Sequence, residues 1–154
     1  MSPSSNDPFD EAISRLNLFR EQQREHQVNL QRWWNVLVND WKNEMIEISN
    51  VANQKFADYN FMFRKIEPNN KMGTATQLFI EAVGPFNART DTRLVHPKLI
   101  FQLDGNGEAV ITSKTGGTDI IPERRLPFDD SGSKALLAGI LAEYAEAMIR
   151  RTGV

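Results

Sequence analysis

In REQQREHQ, residues 20–27, eight polar side chains in a row separate two apolar stretches. Such a gap is either the solvated middle of one long helix or the turn between two shorter ones. The stretch lies inside Phe9–Glu67, which contains neither Gly nor Pro and is mostly rich in the helix formers Glu, Gln, Arg and Leu. Read in strict sevens, one column is Phe9, Leu16, Gln23, Leu30, Leu37, Glu44, Val51. The other is Ile13, Arg20, Gln27, Trp34, Trp41, Ile48, Lys55. The register is the same on both sides of the polar gap, and a chain reversal has no reason to preserve that phase. The spacing therefore predicts one helix over 9–57, with a helical hairpin as the alternative.

Outward from this point the pattern changes in both directions. Residues 1–8 read as a disordered tail ending in Asn6-Asp7-Pro8, a good helix start with Pro in the first turn. From Val28 to Phe56 apolar residues, among them Trp33, Trp34, Val36, Val38, Trp41, Met45 and Ile46, occur on most sides, so this half expects cover from several directions. The three tryptophans, at helical spacing amid Leu and Val, read as core and not as a binding platform. The first half carries only a narrow stripe of Phe9, Ile13, Leu16 and Phe19.

After Tyr59 the period shortens. FMFRKIE (61–67), QLFIEAV (77–83), KLIFQLD (98–104) and EAVITSK (108–114) read as strands, the first stopped by Pro68-Asn69-Asn70 and the second by Gly84-Pro85. In the third, Leu99, Phe101 and Leu103 share a face opposite Lys98, Gln102 and Asp104, as in a half-buried antiparallel strand. Residues 115–128 read as a linking region. A last helix over 131–151 has Arg150 and Arg151 at its end and Gly153 just beyond. Its apolar stripe is Leu137, Ile140, Leu141, Tyr144 and Met148, and its small residues Ala138, Gly139, Ala142 and Ala145 suggest close approach to the sheet. The expected fold is α+β in one domain over 9–154: a long N-terminal helix, a four-stranded antiparallel sheet within 60–114, and a C-terminal helix packed on one sheet face.

The bulk numbers narrow the function. The chain has 154 residues, 40% hydrophobic and 25% charged, the composition of an ordinary globular domain. A net charge of −2 gives no field of one sign to recommend nucleic acid or a membrane as the global partner. With no cysteine, disulfides, thiolate nucleophiles and Cys-ligated metals are excluded, and a reducing compartment is consistent. The start of the chain lacks the basic and apolar regions of a signal peptide. The most apolar run, residues 135–149, is too short to cross a bilayer and holds Glu143 and Glu146. The expectation is a cytoplasmic protein that does not span a membrane.

Several motifs imitate chemistry. In LDGNGEAV (103–110), Asp104, Asn106 and Glu108 alternate like the first ligands of a calcium loop, but Ala109 and Thr115 stand where that loop needs Gly and Glu. Asn106-Gly107 between β-prone segments is instead a hairpin turn, its register left open between two and three loop residues. Ser131-Gly-Ser-Lys134 and Lys114-Thr-Gly116 have serine-enzyme spacings, but in the wrong order and in too small a domain. The serines read as helix caps and the glycine as loop. His26 and His96 have no acidic or histidine neighbour at helical ligand spacing, so no metal and no cofactor are expected. Glu81, inside LFIEAV, is the nearest thing to a lone carboxylate on a strand and reads as its solvent-facing residue.

The best polar candidate is the connection 84–98, with Arg89, Arg93, His96 and Lys98 against one acid, Asp91. Such a loop can hold a phosphate or a nucleic-acid backbone, with Arg124-Arg125 as a possible addition. The plainer reading pairs its arginines with neighbouring carboxylates. Dimensions point elsewhere. A helix over 9–57 extends roughly 70 Å at 1.5 Å per residue, while seven-residue strands span only about 23 Å. The sheet covers one half of the helix and leaves Phe9, Ile13, Leu16 and Phe19 projecting. The expected function is non-enzymatic protein–protein interaction, as an adaptor, small chaperone or assembly subunit, dimerising through the N-terminal helix. Nucleic-acid or phosphate binding by 84–98 is the alternative.

Overall fold

Asp7 caps the first helix: its Oδ1 accepts a hydrogen bond of 2.9 Å from the Phe9 amide, and Pro8 occupies the first helical position. The computed structural model describes residues 7–69, 77–104, 107–128 and 131–152, the last group without the side chains of 131–134. The tail reading of residues 1–6 lies outside the described residues, whereas Asp7 is the helix cap and Pro8 the first residue of the helix.

The helix does not turn back at residues 20–27. Helix α1 (Pro8–Asn35) passes without a break into a π turn (Val36–Trp41) and then into α2 (Lys42–Lys55). The hairpin alternative is thereby excluded. The π turn is visible in the Lys42 amide, which donates to the Leu37 carbonyl five residues back. Its cause lies in the buried face, which recurs at Trp33, Leu37, Trp41, Met45 and Ser49, a period of four. A regular α-helix drifts by about 40° with each step of four residues. One wider turn takes up much of this drift and keeps the series on the sheet. The heptad columns match the buried face only in part in the second half. Leu37 and Trp41 are core and Leu30, Trp34 and Ile48 pack against it, but Val51 is exposed, and Trp33 and Met45, outside both columns, are core.

With no glycine available, the helix ends at Phe56 and a 3₁₀ turn (Ala57–Tyr59), and the chain reverses through Asn60 with φ 53°. Asn is one of the few residues that tolerate this left-handed conformation. Asn53 then fastens the first strand. Its side chain accepts from the Phe63 amide at 2.8 Å and donates to the Phe63 carbonyl at 3.0 Å. Asn53→Ala leaves both backbone groups without these partners and should cost about 1–3 kcal/mol in chemical denaturation. A loss below 0.5 kcal/mol would show that water replaces both bonds.

The four expected strands are present as β1 (Met62–Pro68), β2 (Gln77–Asn87), β4 (Leu99–Asp104) and β5 (Glu108–Thr112). Two more join them, β3 (Thr92–Val95) and β8 (Arg124–Pro127), so the antiparallel sheet has six strands in the order β1-β2-β4-β5-β8, with β3 also on β2. A separate small hairpin pairs β6 (Lys114–Thr115) with β7 (Thr118–Asp119). Gly84-Pro85 does not stop β2. The β2–β3 register shifts between Val83 and Phe86, and this irregularity accommodates a proline that cannot donate to a ladder. The stretch 84–98 is therefore largely a hairpin, not a loop. At the opening of the β4–β5 hairpin Asp104 opposes Glu108, which settles the register as a three-residue loop. Gly107 closes it with φ 84°, its amide donating to the Asp104 carbonyl; Asn106 lies outside the described residues.

Helix α3 (Ser131–Thr152) and the α1–α2 rod pack on one face of the sheet. Leu78, Ile80, Leu99, Phe101, Ala109 and Ile111 point into this core, where they meet Leu37, Trp41, Met45, Leu137, Leu141, Tyr144 and Met148. Of the small residues on α3, Ala145 is buried, while Ala138, Gly139 and Ala142 are exposed. Ala138 and Ala142 instead line an open apolar trough shared with Ile48, Val51, Ala52 and Phe56 of the rod. The opposite sheet face is half-exposed and crossed by ion pairs, Arg64–Glu81 at 2.8 Å and Arg125–Asp104 at 2.9 Å. Glu81 is thus the carboxylate of a surface pair.

Candidate functional site

The body of the domain stops near the β4–β5 hairpin, where Trp33 packs over Gly107 and stacks on Phe128 at 5.5 Å. Leu30 is the first apolar residue of α1 packed against the core. From Pro8 to Asn29 every residue except Ala12 is exposed. That projection is about 33 Å long at 1.5 Å per residue. Phe9 is 78% exposed, Ile13 55%, Leu16 60% and Phe19 56%, so all four stripe residues face solvent. Leu18 and Val28 are also exposed apolars that the periodicity did not single out. Leu18 lies half a turn round from Phe9 and does not extend the stripe.

The second surface is an open concavity of about 1210 Å³ on the β2–β3 hairpin and the end of α3. The hairpin tip, residues 88–91, is organised by Asn87, whose Oδ1 accepts from the Arg89 amide at 2.9 Å, and by a 2.7 Å hydroxyl pair between Thr90 and Thr92. Arg89, Arg93 and His96 line the concavity, and Arg151 joins them from α3. Lys98 does not; its ammonium sits 4.9 Å above the ring of Phe79. Arg124 and Arg125 are also elsewhere, held by Glu143 and Asp104 at 2.9 Å each. The expected pairing of loop arginines with carboxylates is not found for Arg89 or Arg93, and Arg151 has no carboxylate partner among the described residues either.

His96 is the floor of this surface and not one of its charges. It is buried against Phe61, and its Nε2 lies 3.0 Å from the position a Cβ on Gly84 would take. Gly84 is in the strand because His96 needs that space. Burial, and next the Arg151 charge, hold the imidazole below its usual pKa of 6.5. The unfolded chain therefore takes up this proton first. The stabilising contribution of neutral His96 is complete above pH 6.5 and is lost as pH falls from 6.5 through the folded value. An NMR titration of the imidazole should give a midpoint below 6.5; one at or above 6.5 would refute the burial argument. Beside it, the Tyr144 hydroxyl donates to the Pro97 carbonyl at 2.7 Å. Burial, with Glu81 second, raises its pKa far above 10 against an opposing effect of Arg151, so it remains a proton donor.

Among the described residues no group of three or more His, Asp or Glu is placed to hold a metal ion, and no helix is long and apolar enough to cross a membrane. Lys114 and Gly116, two of the residues with serine-enzyme spacing, lie in the β6–β7 hairpin, where Lys114 pairs with Asp119. The side chains of Ser131, Ser133 and Lys134 lie outside the described residues. Compared with known proteins, the chain matches no family model, no curated protein and no solved structure.

Proposed function

We propose that the protein is a non-enzymatic protein–protein interaction module, an adaptor or assembly subunit, that pairs with a second copy of itself through Phe9, Ile13, Leu16 and Phe19. The observation that carries this reading is the exposure of those four side chains on a helix that has left the body behind. Lone surface apolars are ordinary, but a stripe repeated over three turns is not. Charge supports a self-partner. Asp7, Asp10 and Glu11 precede Arg15 and Arg20 on the same short segment. An antiparallel copy sets acid against base, whereas a parallel one sets like against like.

Three turns of paired helix bury less than the roughly 800 Å² per partner of a standard interface. The association is accordingly weak, with a dissociation constant on the order of micromolar, about −8 kcal/mol. Light scattering across a concentration series is expected to move the mass from one chain toward two. A constant single-chain mass up to millimolar protein would exclude the self-partner.

A further inference from the structure

We infer that the concavity formed by the β2–β3 hairpin and the end of α3 binds single-stranded nucleic acid, independently of the helix stripe. Three observations lead there. First, the arginines of this surface are not committed to carboxylates among the described residues; Arg151 Nη1 donates to the Met148 sulfur at 3.9 Å, a weak bond that an anion can displace. Arg64, Arg124, Arg125 and Arg150 all hold carboxylates, at 2.8, 2.9, 2.9 and 2.9 Å. Arg89, Arg93 and Arg151 hold none among the described residues, yet they converge on one surface, two from the β2–β3 hairpin and one from the end of α3. Asp91, at the hairpin tip with φ 54°, is the one acid in residues 84–98 and is not among the residues lining the concavity.

Second, an aromatic ring stands among these charges. Phe86 is 55% exposed and is the direct cross-strand partner of Arg93, which puts ring and guanidinium on one face of the hairpin. A cation beside an exposed ring matches a nucleotide unit, with phosphate on the guanidinium and base on the ring. Thr90, Thr92, Thr115 and Thr152 add hydroxyls around the rim. Third, the concavity is open. A site for a free nucleotide encloses most of its ligand, whereas an open basic trough lets a polymer run through. Duplex is disfavoured because its bases are not available to stack on Phe86.

The test is fluorescence anisotropy with the full chain and a fluorescein-labelled twelve-nucleotide strand of thymidylate. Binding is expected to weaken with salt with a log–log slope of about −2, from three phosphate contacts at about 0.7 each. Arg89→Glu with Arg93→Glu should abolish it, and Phe86→Ala should weaken it by roughly 5- to 150-fold, the range for one stacked base. Replacing both arginines by Lys should keep the salt slope. All these side chains except Arg151 lie on an exposed hairpin, and far-UV circular dichroism checks that each variant is folded. Absence of binding, a salt-independent signal, tighter binding of duplex or of free thymidine monophosphate, or an unchanged Arg89→Glu/Arg93→Glu variant would each overturn the assignment.

Discussion

Replacing Trp41 by Ala is expected to destabilise the domain by about 3–5 kcal/mol, the usual cost of removing a buried aromatic ring from a core. Trp41 is only 2% exposed and ties three elements together. Its ring lies 4.8 Å from Phe128, which follows β8, and meets Phe101 of β4 edge-on at 6.4 Å. The residue is also the last of the π turn, where the helix has been unwound to hold it against the sheet. A domain of this size loses roughly 2–4 °C of thermal midpoint for each kcal/mol. The midpoint should therefore fall by about 6–20 °C, and about 3–5 kcal/mol is a large share of a typical stability of about 5–15 kcal/mol. Trp41→Phe retains a ring and should cost clearly less. Denaturant unfolding decides the matter: a loss under 1 kcal/mol for the alanine variant would mean that Trp41 is not the link between rod and sheet.

The opposite result is expected at the other end of the same helix. Phe9→Ser, Ile13→Ser and Leu16→Ser together should leave the thermal midpoint of the dilute, single-chain protein almost unchanged, because exposed positions generally change stability by under 0.5 kcal/mol. Their effect is on assembly. A pair of chains loses six apolar side chains at once, and full burial of each is worth about 1.5–3 kcal/mol. Even partial burial makes the association at least about a hundredfold weaker, a difference of about 2.8 kcal/mol. Serine is also a weaker helix former than leucine. The same three positions replaced by Gln preserve helicity and provide the control. Both variants should stay at single-chain mass under conditions where the parent chain shifts toward two. If the parent and variant masses coincide at every concentration, the stripe does not hold a second copy.

The two experiments probe the same helix, and the sequence anticipated their difference unequally. The projecting half was legible because nothing tertiary acts on it. The absence of Gly and Pro, the Asp7-Pro8 start and the sparse apolar stripe are local properties, and they let a helix nucleated in the packed half propagate through solvent. The packed half was legible as helix and as core, but not in its phase. Its spacing of four from Trp33 to Ser49 can be met only by a π turn, and only the sheet against which those residues press requires one.

The sheet divides in the same manner. KLIFQLD and EAVITSK alternate because one face is buried, and Gly107 after Asn106 marks the turn between them, so these strands could be read from the residues alone. Strands β3 and β8 could not. Thr92–Val95 is exposed throughout and Arg124–Pro127 buries only Leu126, so neither leaves a hydrophobic period in the sequence. What makes them strands is a neighbour with unpaired backbone groups, β2 for one and β5 for the other. The concavity is the extreme case. Arg89 and Arg93 were visible as a basic stretch, but Arg151 reaches them only through the packing of α3, and His96 became neutral floor only because the sheet closed over it. By itself the sequence determined the segments whose order comes from their own backbone and capping chemistry. The tertiary structure decided everything that depends on burial, since the removal of water by distant parts of the chain is not encoded at any one position.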